Sequence, residues 1–428
     1  MGLIVQKYGG TSVADPDRMR AVAENVQITK RHGHDVVVVV SAMGKATDNL
    51  IALAGQVSTT RPGREMDMLL TTGERVSAAL LTMALADLGV PAVSFTGSQV
   101  GIITDNAHGR AKIVEVKGDR VRDALSQGKV AVVAGFQGVS LEKEITTMGR
   151  GASDLTASAL AKALDADACE IFTDVTGVFS ADPRIVPRAR KLARISYDEM
   201  LEMAGAGSKV LALRSVEFAR NHGVPLHVRS AFTWEPGTWV TDEVHTDPDD
   251  GSSDKEQAME DPIISGVVTD ISESKVTVLG VPDRPGVSAS LFEPLAGANI
   301  NVDMIVQNTS TEGTTDISFT VPSADMAVAE TIVTRVADEV GASGVTHDSD
   351  IAKLSVVGAG MKSSPGIAAK MFRTLADEGV NIEMISTSTI RISVVIAGAD
   401  LERAARAVHT AFGLDSGSDY AAPLPERR

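Results

Sequence analysis

A lysine, two glycines and two hydroxyl residues stand together near the start of the chain, in the stretch Lys7-Tyr8-Gly9-Gly10-Thr11-Ser12. An apolar run at 3–5 predicts a buried strand before them, and a helical pattern begins at about Pro16. Glycines at such a junction let backbone N–H groups approach an anion, and the helix dipole favours negative charge there. The stretch therefore predicts a phosphate site in which Lys7 supplies a cation. The lysine precedes the glycines, unlike in the Walker pattern, so an ordinary strand–turn–helix corner is the alternative.

The elements that must position this stretch alternate between strand and helix. Apolar, β-branched runs at 3–5, 36–40, 130–134 and 169–172 predict strands buried on both faces, and helical spacing between them includes 75–88 and 157–164. The pattern predicts an α/β fold with a largely parallel sheet sandwiched by helices. Ligands of such sheets bind beyond the carboxyl ends of the strands. The loops at those ends are Lys7-Tyr8-Gly9-Gly10, Ser41-Ala42-Met43-Gly44, Gly135-Phe136-Gln137-Gly138 and Thr173-Asp174.

Composition limits the classes of function. The 428-residue chain carries a formal net charge of −16, which excludes nucleic-acid binding through a general electrostatic attraction. A single cysteine, Cys169, excludes an intramolecular disulfide framework and suits a reducing compartment. Neither a signal peptide nor an apolar run of about 20 residues is visible in the sequence. We therefore expect a cytoplasmic protein without a membrane partner.

The length predicts two to four domains. Residues 1–240 carry the alternating pattern and form the predicted catalytic domain, and the acidic stretch at 241–262 is a predicted linker. Two repeat domains are expected at 263–345 and 346–415, and the second may include a strand near 263–269. Residues 416–428 are expected to be a disordered tail.

The two repeats match at an offset of 80 positions, with Pro285-Gly286 opposite Pro365-Gly366 and Asn301 opposite Asn381. Each copy predicts a strand, a Pro-Gly turn, an amphipathic helix and a second strand that starts at the asparagine. The first strands lie at 275–280 and 353–358, and further strands are predicted at 315–321 and 390–396. A loop before a helix N-terminus that faces a polar side chain can hold a small zwitterion.

These motifs resemble those of the aspartokinase family, and the resemblance covers nearly the whole chain. Besides the strand-end loops, the matching motifs are Thr72-Gly73-Glu74-Arg75, Gly149-Arg150-Gly151, Ser153-Asp154, Ala181-Asp182-Pro183-Arg184 and Gly207-Ser208-Lys209-Val210. The resemblance implies an amino-acid kinase fold followed by two ferredoxin-like ACT domains, and it is closest to actinobacterial members. It implies ATP-dependent phosphorylation of the β-carboxylate of L-aspartate to 4-phospho-L-aspartate, the first step of lysine, threonine and methionine biosynthesis.

The chemistry of this reaction limits what the site must supply. A carboxylate is already a nucleophile, so the main obstacle is its charge repulsion with the triphosphate, and catalysis reduces to positioning and neutralisation. Lys7 and Lys209 are the candidate cations, and Asp154 would orient one or both of them. The backbone N–H groups of Gly9, Gly10 and Gly44 are candidate neutral donors. Mg²⁺ accompanies ATP, held mainly by phosphate oxygens and water, and no metal site of the protein's own is predicted.

The resemblance also assigns the substrate contacts. For aspartate, Arg150 would bind the α-carboxylate through a bidentate fork and Glu74 the ammonium. Other aspartate-binding candidates are Ser41 and Thr47, whose hydroxyls would place the β-carboxylate, and Ser153. The nucleotide candidates are Gly9, Gly10, Thr173, Asp174, Phe179, Asp182, Arg184 and Lys209. Structural alternatives remain: Lys7 as a solvated lysine, Arg150 as a loop arginine, Glu74 and Asp174 as helix caps, and Asp182 as part of a turn.

Regulation is implied by the paired ACT repeats, with amino-acid effectors bound between ACT domains of neighbouring chains. The matching positions are Asp283, Gly286, Gln307 and Asn381, and the expected effectors are lysine and threonine. Met259 follows the linker, so an internal translation start there could give a short subunit and an α2β2 assembly. A homo-oligomer with an ordinary linker methionine is the alternative.

Four residues depart from the family pattern. Ala152 replaces a usual glycine, which would strain the backbone if φ were positive there and could narrow the aspartate pocket. Phe179 replaces a usual tyrosine, Thr176 a usual Asp or Pro, and Thr389 an expected Glu. The alternatives to an aspartate kinase are another amino-acid kinase, a specialised kinase that acts on an aspartate analogue, and a non-catalytic ACT amino-acid sensor.

Overall fold

The structure is a computed structural model that describes residues 2–149, 151–242, 264–308, 313–359, 361 and 364–415. The chain divides into two compact units. The first comprises 1–178, 191–204 and 209–251, and the second comprises 179–190, 205–208 and 252–428. The predicted linker, apart from its first two residues, and the predicted tail lie outside the described residues, as does Met259.

The first unit contains strands and helices in alternation. Its strands are β1 (Leu3–Tyr8), β2 (Asp35–Val40), β3 (Ala92–Phe95), β4 (Ile102–Thr104), β5 (Ile113–Val116), β6 (Val130–Ala134), β7 (Gln137–Ser140), β8 (Ile145–Thr147), β9 (Ala168–Thr173), β10 (Arg194–Ile195), β11 (Leu226–Ser230) and β12 (Thr238–Val240). Its helices are α1 (Pro16–Arg31), α2 (Ala46–Val57), α3 (Gly63–Leu70), α4 (Thr72–Asp87), α5 (Gly97–Val100), α6 (Asp119–Ser126), α7 (Ala152–Ala163), α8 (Tyr197–Ala206) and α9 (Leu213–His222). The predicted strands and the helix start at Pro16 are confirmed.

An eight-stranded sheet forms the centre of this unit, in the order β10-β12-β11-β9-β1-β2-β6-β3. Strand β1 lies between β9 and β2 and is parallel to both, and β2 is parallel to β6. Strand β12 is antiparallel to β11, so the sheet is largely but not wholly parallel. A second sheet has the order β5-β4-β7-β8. The predicted α/β fold is confirmed.

Helices cover both faces of the large sheet. Alternate residues of a strand point to opposite faces, so Tyr8 and Val38 share one face while Lys7 and Val39 share the other. Helices α1 and α4 pack with Tyr8 and Val38 in one apolar core. Helix α7 contacts β1, β2 and β9, and its residue Asp154 pairs with Lys7, which places it on the other face. Valines fill β2 and β6 because both faces of these strands are buried.

The second unit contains the two repeats. Its strands are β13 (Gly266–Asp270), β14 (Glu273–Pro282), β15 (Ile305–Gln307), β16 (Thr314–Pro322), β17 (Gly344–Asp348), β18 (Ile351–Val357), β19 (Met384–Thr387) and β20 (Arg391–Ala397). Its α-helices are α10 (Val287–Gly297), α11 (Met326–Val340), α12 (Ile367–Asp377) and α13 (Leu401–Ala411). The strands form two four-stranded antiparallel sheets, β15-β16-β14-β17 and β13-β18-β20-β19. Each sheet is packed against two helices, as the ferredoxin-like prediction requires.

The strand after each helix begins later than predicted. Strands β15 and β19 start at Ile305 and Met384, whereas the prediction placed both starts at Asn301 and Asn381. The asparagines lie in the connections before these strands, and three and two residues, respectively, separate them from the strand starts. In the first repeat Asn299 adopts a positive φ of 63°, which ends the helical turn before Asn301.

Two features complete the second unit. Strand β13 precedes both repeats in sequence, yet it pairs with β18 of the second repeat. The segment Phe179–Arg190, from the middle of the α/β sequence, also packs with the second repeat's helices. Among the described helices, none is both long and apolar enough to cross a membrane.

Candidate active site

The four predicted strand-end loops gather at one edge of the large sheet. Strands β9, β1, β2 and β6 are neighbours and run parallel, so their carboxyl ends lie side by side. The loops after β1 and β2 touch directly, because Gly44 N–H donates to Gly10 O at 3.0 Å and Ser41 N–H donates to Tyr8 O at 3.1 Å. The sheet therefore brings together the glycines, hydroxyls and lysine that the sequence placed after separate strands.

Lys7 forms an ion pair with Asp154 at this edge. Lys7 Nζ lies 2.7 Å from Asp154 Oδ1, and both side chains are about nine-tenths buried. The other carboxylate oxygen, Oδ2, accepts a hydrogen bond from Ala212 N–H at 3.3 Å. Asp154 is thus held from two sides and fixes the position of the lysine ammonium.

The glycine loop differs from the predicted set of free donors. Gly9 N–H donates to Phe172 O at 3.3 Å, and Gly44 N–H is used by Gly10 O. Of the three predicted amides, only Gly10 N–H has no protein acceptor in the described part of the chain. A Cβ atom at Gly10 would lie 2.8 Å from Ala42 O, so the close approach of the two loops requires glycine there.

Glu74 is a buried acid with one unused oxygen. It lies in the first turn of α4 and is 3% exposed, and its Oε1 accepts from Ala42 N–H at 3.2 Å. Its Oε2 is buried and has no hydrogen-bond partner. Burial raises the pKa of Glu74 to about 7, although the Glu74 and Ala42 backbone amides partly oppose this shift. An unpaired buried carboxylate oxygen is costly, so the site fits a cationic ligand.

The N-terminus of α7 lies opposite these loops. Gly151 has a φ of +76° and caps the helix, and a Cβ there would lie 2.8 Å from Ala212 Cβ. Ser153 is buried, and a Cβ at Gly135 would lie 2.8 Å from its Oγ, so the loop after β6 reaches this helix. Arg150 lies outside the described residues.

The backbone at Ala152 does not require glycine. Ala152 is the first residue of α7 and is not among the residues with positive φ, so the considered strain does not arise. Its side chain is buried in an apolar cluster with Met148 and Leu155. The adjacent Gly151, with a φ of +76°, is the residue of this loop that takes the left-handed conformation.

The remaining predicted residues of the first unit lie at the ends of its strands, on the loops and helices that follow them, or on the α8–α9 connection. Ser41 and Thr173 are half-buried at the ends of β2 and β9, and Thr47 is half-buried in the first turn of α2. Asp174 is exposed, and its Oδ1 accepts from Thr173 Oγ1 at 3.2 Å. Lys209 lies on the exposed connection between α8 and α9 and forms no ion pair among the described residues, so the structure pairs Asp154 with Lys7 alone.

Three predicted nucleotide residues belong to the second unit. Arg184 binds Asp182 through three side-chain hydrogen bonds, of 2.9 and 3.1 Å from Nε and 2.5 Å from an Nη. Phe179 is 9% exposed and lies in the apolar core of the second repeat. This packing explains phenylalanine at position 179, because a buried tyrosine hydroxyl would require a partner. Thr176 is half-buried and Thr389 exposed, and no contact explains their identities.

The four predicted effector residues lie on the exposed surface of the second unit. Gly286 has a φ of +97° and caps α10, and its repeat mate Gly366 has a φ of +108° and caps α12. Gln307 Oε1 accepts from Ser288 Oγ at 3.3 Å, and Asp283 N–H donates to Gly313 O at 2.9 Å. Asn381 is exposed before β19. Glycine is required at both caps because an L side chain disfavours this φ.

The sequence interpretation missed two features of the site. Phe136, in the loop after β6, adopts a φ of 68°, which is unusual for a residue with a large side chain. Asp67 is 1% exposed and accepts hydrogen bonds from three other residues. The available signal for Asp67 was a single charge inside the apolar helical stretch Met66-Asp67-Met68-Leu69-Leu70.

Two family models match the chain. The amino acid kinase family matches residues 2–230, which include every strand of the large sheet except β12. The ACT domain matches twice, over residues 276–335 and 354–412. The two ACT matches fall on the two repeats.

The chain is similar over nearly its whole length to proteins that are named aspartokinase. It is 54% identical to the aspartokinase of Mycolicibacterium smegmatis over 98% of each chain. Among solved structures, E. coli aspartokinase III in complex with aspartate and ADP (R-state) aligns with a TM-score of 0.77 at 25% identity, over 96% of this chain and 99% of that one. The complex of the same enzyme with lysine and aspartate (T-state) aligns with a TM-score of 0.72 at 25% identity, over 95% and 99%.

Proposed function

Because this chain belongs to the aspartokinase family, we propose that it transfers the γ-phosphoryl group of ATP to the β-carboxylate of L-aspartate. The product is 4-phospho-L-aspartate, and the reaction is the first step toward lysine, threonine and methionine. We place this reaction in the cytoplasm. An acyl phosphate forms as the β-carboxylate oxygen attacks phosphorus and the bond from phosphorus to the ADP oxygen breaks.

The main support for this reaction is a series of contacts that leads from Glu74 through Ala42 and the glycine loop to Lys7. Glu74 binds Ala42 N–H, the Ala42 carbonyl faces Gly10, and a Cβ at Gly9 would lie 3.4 Å from Lys7 Nζ. A buried anion with an unused oxygen and a cation held by Asp154 thus border the same glycine loop. Such an arrangement suits a ligand with an ammonium at one end and a reacting anion at the other.

Aspartate recognition follows from these charges. Glu74 Oε2 receives the ammonium, which supplies the partner that the buried oxygen lacks. Arg150 binds the α-carboxylate through its planar fork, and Ser153, at the start of α7, lies three positions after it. Ser41 and Thr47 offer hydroxyl donors to the β-carboxylate.

Phosphoryl transfer needs neutralisation of charge more than it needs a proton acceptor. Lys7 faces the transferring group, and Asp154 keeps the ammonium in place without taking its proton. Gly10 N–H is the backbone donor available to a phosphate oxygen. ATP arrives as its magnesium complex, and Mg²⁺ supplies charge neutralisation when it is bound. Phosphate oxygens and water would hold most of this ion, and the exposed carboxylate of Asp174, which follows β9, would offer it one oxygen.

The remaining assignments concern nucleotide and effectors. Six residues stay our predicted nucleotide residues from the sequence: Thr173, Asp174, Phe179, Asp182, Arg184 and Lys209. Lysine and threonine are the proposed effectors, with Asp283 for an effector ammonium and Gly286 N–H for a carboxylate. E. coli aspartokinase III is known in a complex with lysine, which supports the first of the two.

The assembly is proposed from the sequence around the linker. Effector sites between ACT domains of neighbouring chains require more than one copy of the second unit. We propose either a homo-oligomer or an α2β2 assembly whose short subunit starts at Met259. Expression of a Met259→Leu variant distinguishes the two assemblies. If the wild type yields a short product that the variant lacks, the internal start is supported. If the wild type yields no short product, or the variant still yields it, the internal start at Met259 is overturned.

A hydroxamate assay with the purified full chain tests the reaction. We expect hydroxylamine to trap an acyl phosphate only when aspartate, ATP and Mg²⁺ are all present. Turnover of an aspartate analogue or of N-acetylglutamate, without turnover of aspartate, would favour a different amino-acid kinase. Aspartate, lysine or threonine binding without any turnover would favour a non-catalytic ACT sensor.

A further inference from the structure

Asp67 is a buried acid that the proposed reaction does not use. It lies in α3 and is 1% exposed. Its carboxylate accepts from His108 Nδ1 at 2.7 Å, from Gly109 N–H at 3.1 Å and from Thr147 Oγ1 at 2.5 Å. These hydrogen bonds hold the Asp67 carboxylate and its three partner residues in fixed positions. Removal of any donor would leave part of the buried negative charge uncompensated.

The hydrogen bonds of Asp67 fix the backbone of the residues that precede Arg150. Thr147 is the last residue of β8, and Arg150 follows three positions later. Between them, Met148 N–H donates to Phe136 O at 3.1 Å, and Arg214 donates to Met148 O at 2.6 Å. Gly149 has a φ of +88°, and a Cβ there would lie 3.4 Å from Gly109 O, next to the amide that Asp67 binds.

The same helix leads into Glu74. Helix α3 ends at Leu70, and α4 begins at Thr72 with Glu74 in its first turn. Asp67 therefore connects the helix before Glu74 to the strand before Arg150. In an α-amino acid the ammonium and the α-carboxylate are attached to one carbon, so the two groups that bind them must be held at a fixed separation.

We propose that Asp67 is a positioning residue for amino-acid recognition, which holds residues 147–149, the described backbone before Arg150, in place relative to Glu74. This inference rests on the proposed function, because it takes Glu74 and Arg150 as the groups that bind aspartate. Asp67 touches neither substrate, and it acts through Thr147 and the loop at His108 and Gly109.

Steady-state kinetics of an Asp67→Asn variant of the full chain test this inference. Asparagine keeps the shape of the side chain, but it offers one acceptor oxygen and places an NH₂ group against N–H or O–H donors. We expect the KM for aspartate to rise at least tenfold, the KM for ATP to stay within twofold, and kcat to fall less than the aspartate KM rises. Thr147→Val removes one donor at nearly constant shape, and we expect a smaller rise in the same KM.

Glu170→Gln is the matched control. Glu170 is another buried carboxylate of the first unit, bound by Gln6 and Arg229. Loss of the Glu170 negative charge in this variant should lower the unfolding temperature and leave the aspartate KM unchanged. A purely structural role for Asp67 would give the same pattern as Glu170→Gln, or would shift both KM values together, and either result overturns the inference.

Two further results separate this inference from the proposed function. If Asp67→Asn does not fold, an aspartate KM in Thr147→Val equal to that of the wild type overturns the inference, whereas a selective rise supports it. If the wild type forms no acyl phosphate from aspartate, the proposed function is overturned, and so is this inference, because it depends on that function. Normal wild-type turnover with unchanged KM values in both variants overturns the inference alone.

Discussion

At the scale of single residues, the site is defined by two charges in opposite situations. Lys7 has a partner at 2.7 Å, whereas Glu74 Oε2 has none although it is buried. A folded protein rarely leaves a buried carboxylate oxygen unpaired unless a ligand completes it. The pair therefore points to a ligand that supplies an ammonium to Glu74 and an anion to Lys7.

Aspartate binding should depend on pH through Glu74. Burial raises the pKa of this acid to about 7, and only the ionised form attracts an ammonium. The aspartate KM should therefore rise as pH falls through 7, by about tenfold between pH 8 and pH 6. Aspartate KM values measured across this range check the effect. In Glu74→Gln the KM should be high at every pH, and a wild-type KM that is flat with pH would contradict the assignment.

The charge of Lys7 should be needed for turnover. Lys7→Met removes the cation and leaves the Asp154 carboxylate nearly buried without it. We expect kcat to fall by about 10²- to 10³-fold, because a cation at the transferring group stabilises mainly the transition state. Lys162→Met, an exposed lysine on the same helix as Asp154, is the control and should keep full activity. An unchanged kcat in Lys7→Met would contradict this prediction and would show that Lys7 has a purely structural role.

At the scale of elements, the two repeats are joined by reciprocal ion pairs. Lys275 on β14 binds Glu383 of the second repeat, and Lys353 on β18 binds Asp303 of the first at 2.6 Å. The two pairs occupy matching positions of the repeat. They differ in burial, since the Lys353 side chain is 1% exposed and that of Lys275 is 22% exposed. Lys353 also binds Glu273 at 2.7 Å.

This difference predicts unequal effects on stability. Burial opposes the charge on Lys353, but hydrogen bonds and attraction from Asp303 and Glu273 prevail and raise its pKa. Lys353→Met leaves these carboxylates uncompensated and should destabilise the second unit by about 3–5 kcal/mol. Lys275→Met, at the matching but more exposed position, should cost about 1 kcal/mol or less. Urea unfolding of both variants checks the order, and equal midpoints would contradict it.

At the scale of the whole molecule, the folded units do not follow the sequence in order. The segment Phe179–Arg190 interrupts the α/β sequence but packs in the core of the second repeat. Ser180 Oγ lies 2.9 Å from His409 Nε2, and His409 Nδ1 lies 2.6 Å from Asp415 Oδ1. The first of these contacts joins residues that are 229 positions apart.

Loss of the His409 contacts should release this segment. His409→Leu removes both hydrogen bonds of a completely buried side chain. We expect amide hydrogen exchange across 179–190 to accelerate by about tenfold or more, since local opening then breaks fewer contacts. His347→Gln, at an exposed histidine of the first repeat, should leave this exchange unchanged. Equal exchange in His409→Leu and the wild type would show that the apolar contacts alone hold the segment.

Much of the fold and part of the site are encoded locally. Runs of valine, glycine turns and the 80-residue repeat each depend on a few neighbouring residues, so the sequence predicted the parallel sheet, its strand-end loops and the paired domains. The structure shows why glycine stands at two of the predicted positions: two loops approach closely at Gly10, and Gly286 has a positive φ. The second strand of each repeat was placed too early, because the asparagine lies in the connection before the ladder.

The sequence by itself determined the class of protein, since length, charge and ordered motifs are properties of the chain alone. Only the tertiary structure decided which lysine pairs with Asp154, that Gly151 and not position 152 is left-handed, and that Phe179 is buried with the second repeat. It also placed Asp67 between the elements that carry Glu74 and Arg150. The physical reason is that ion pairs, burial and hydrogen bonds depend on distances between residues far apart in sequence, which no local pattern encodes.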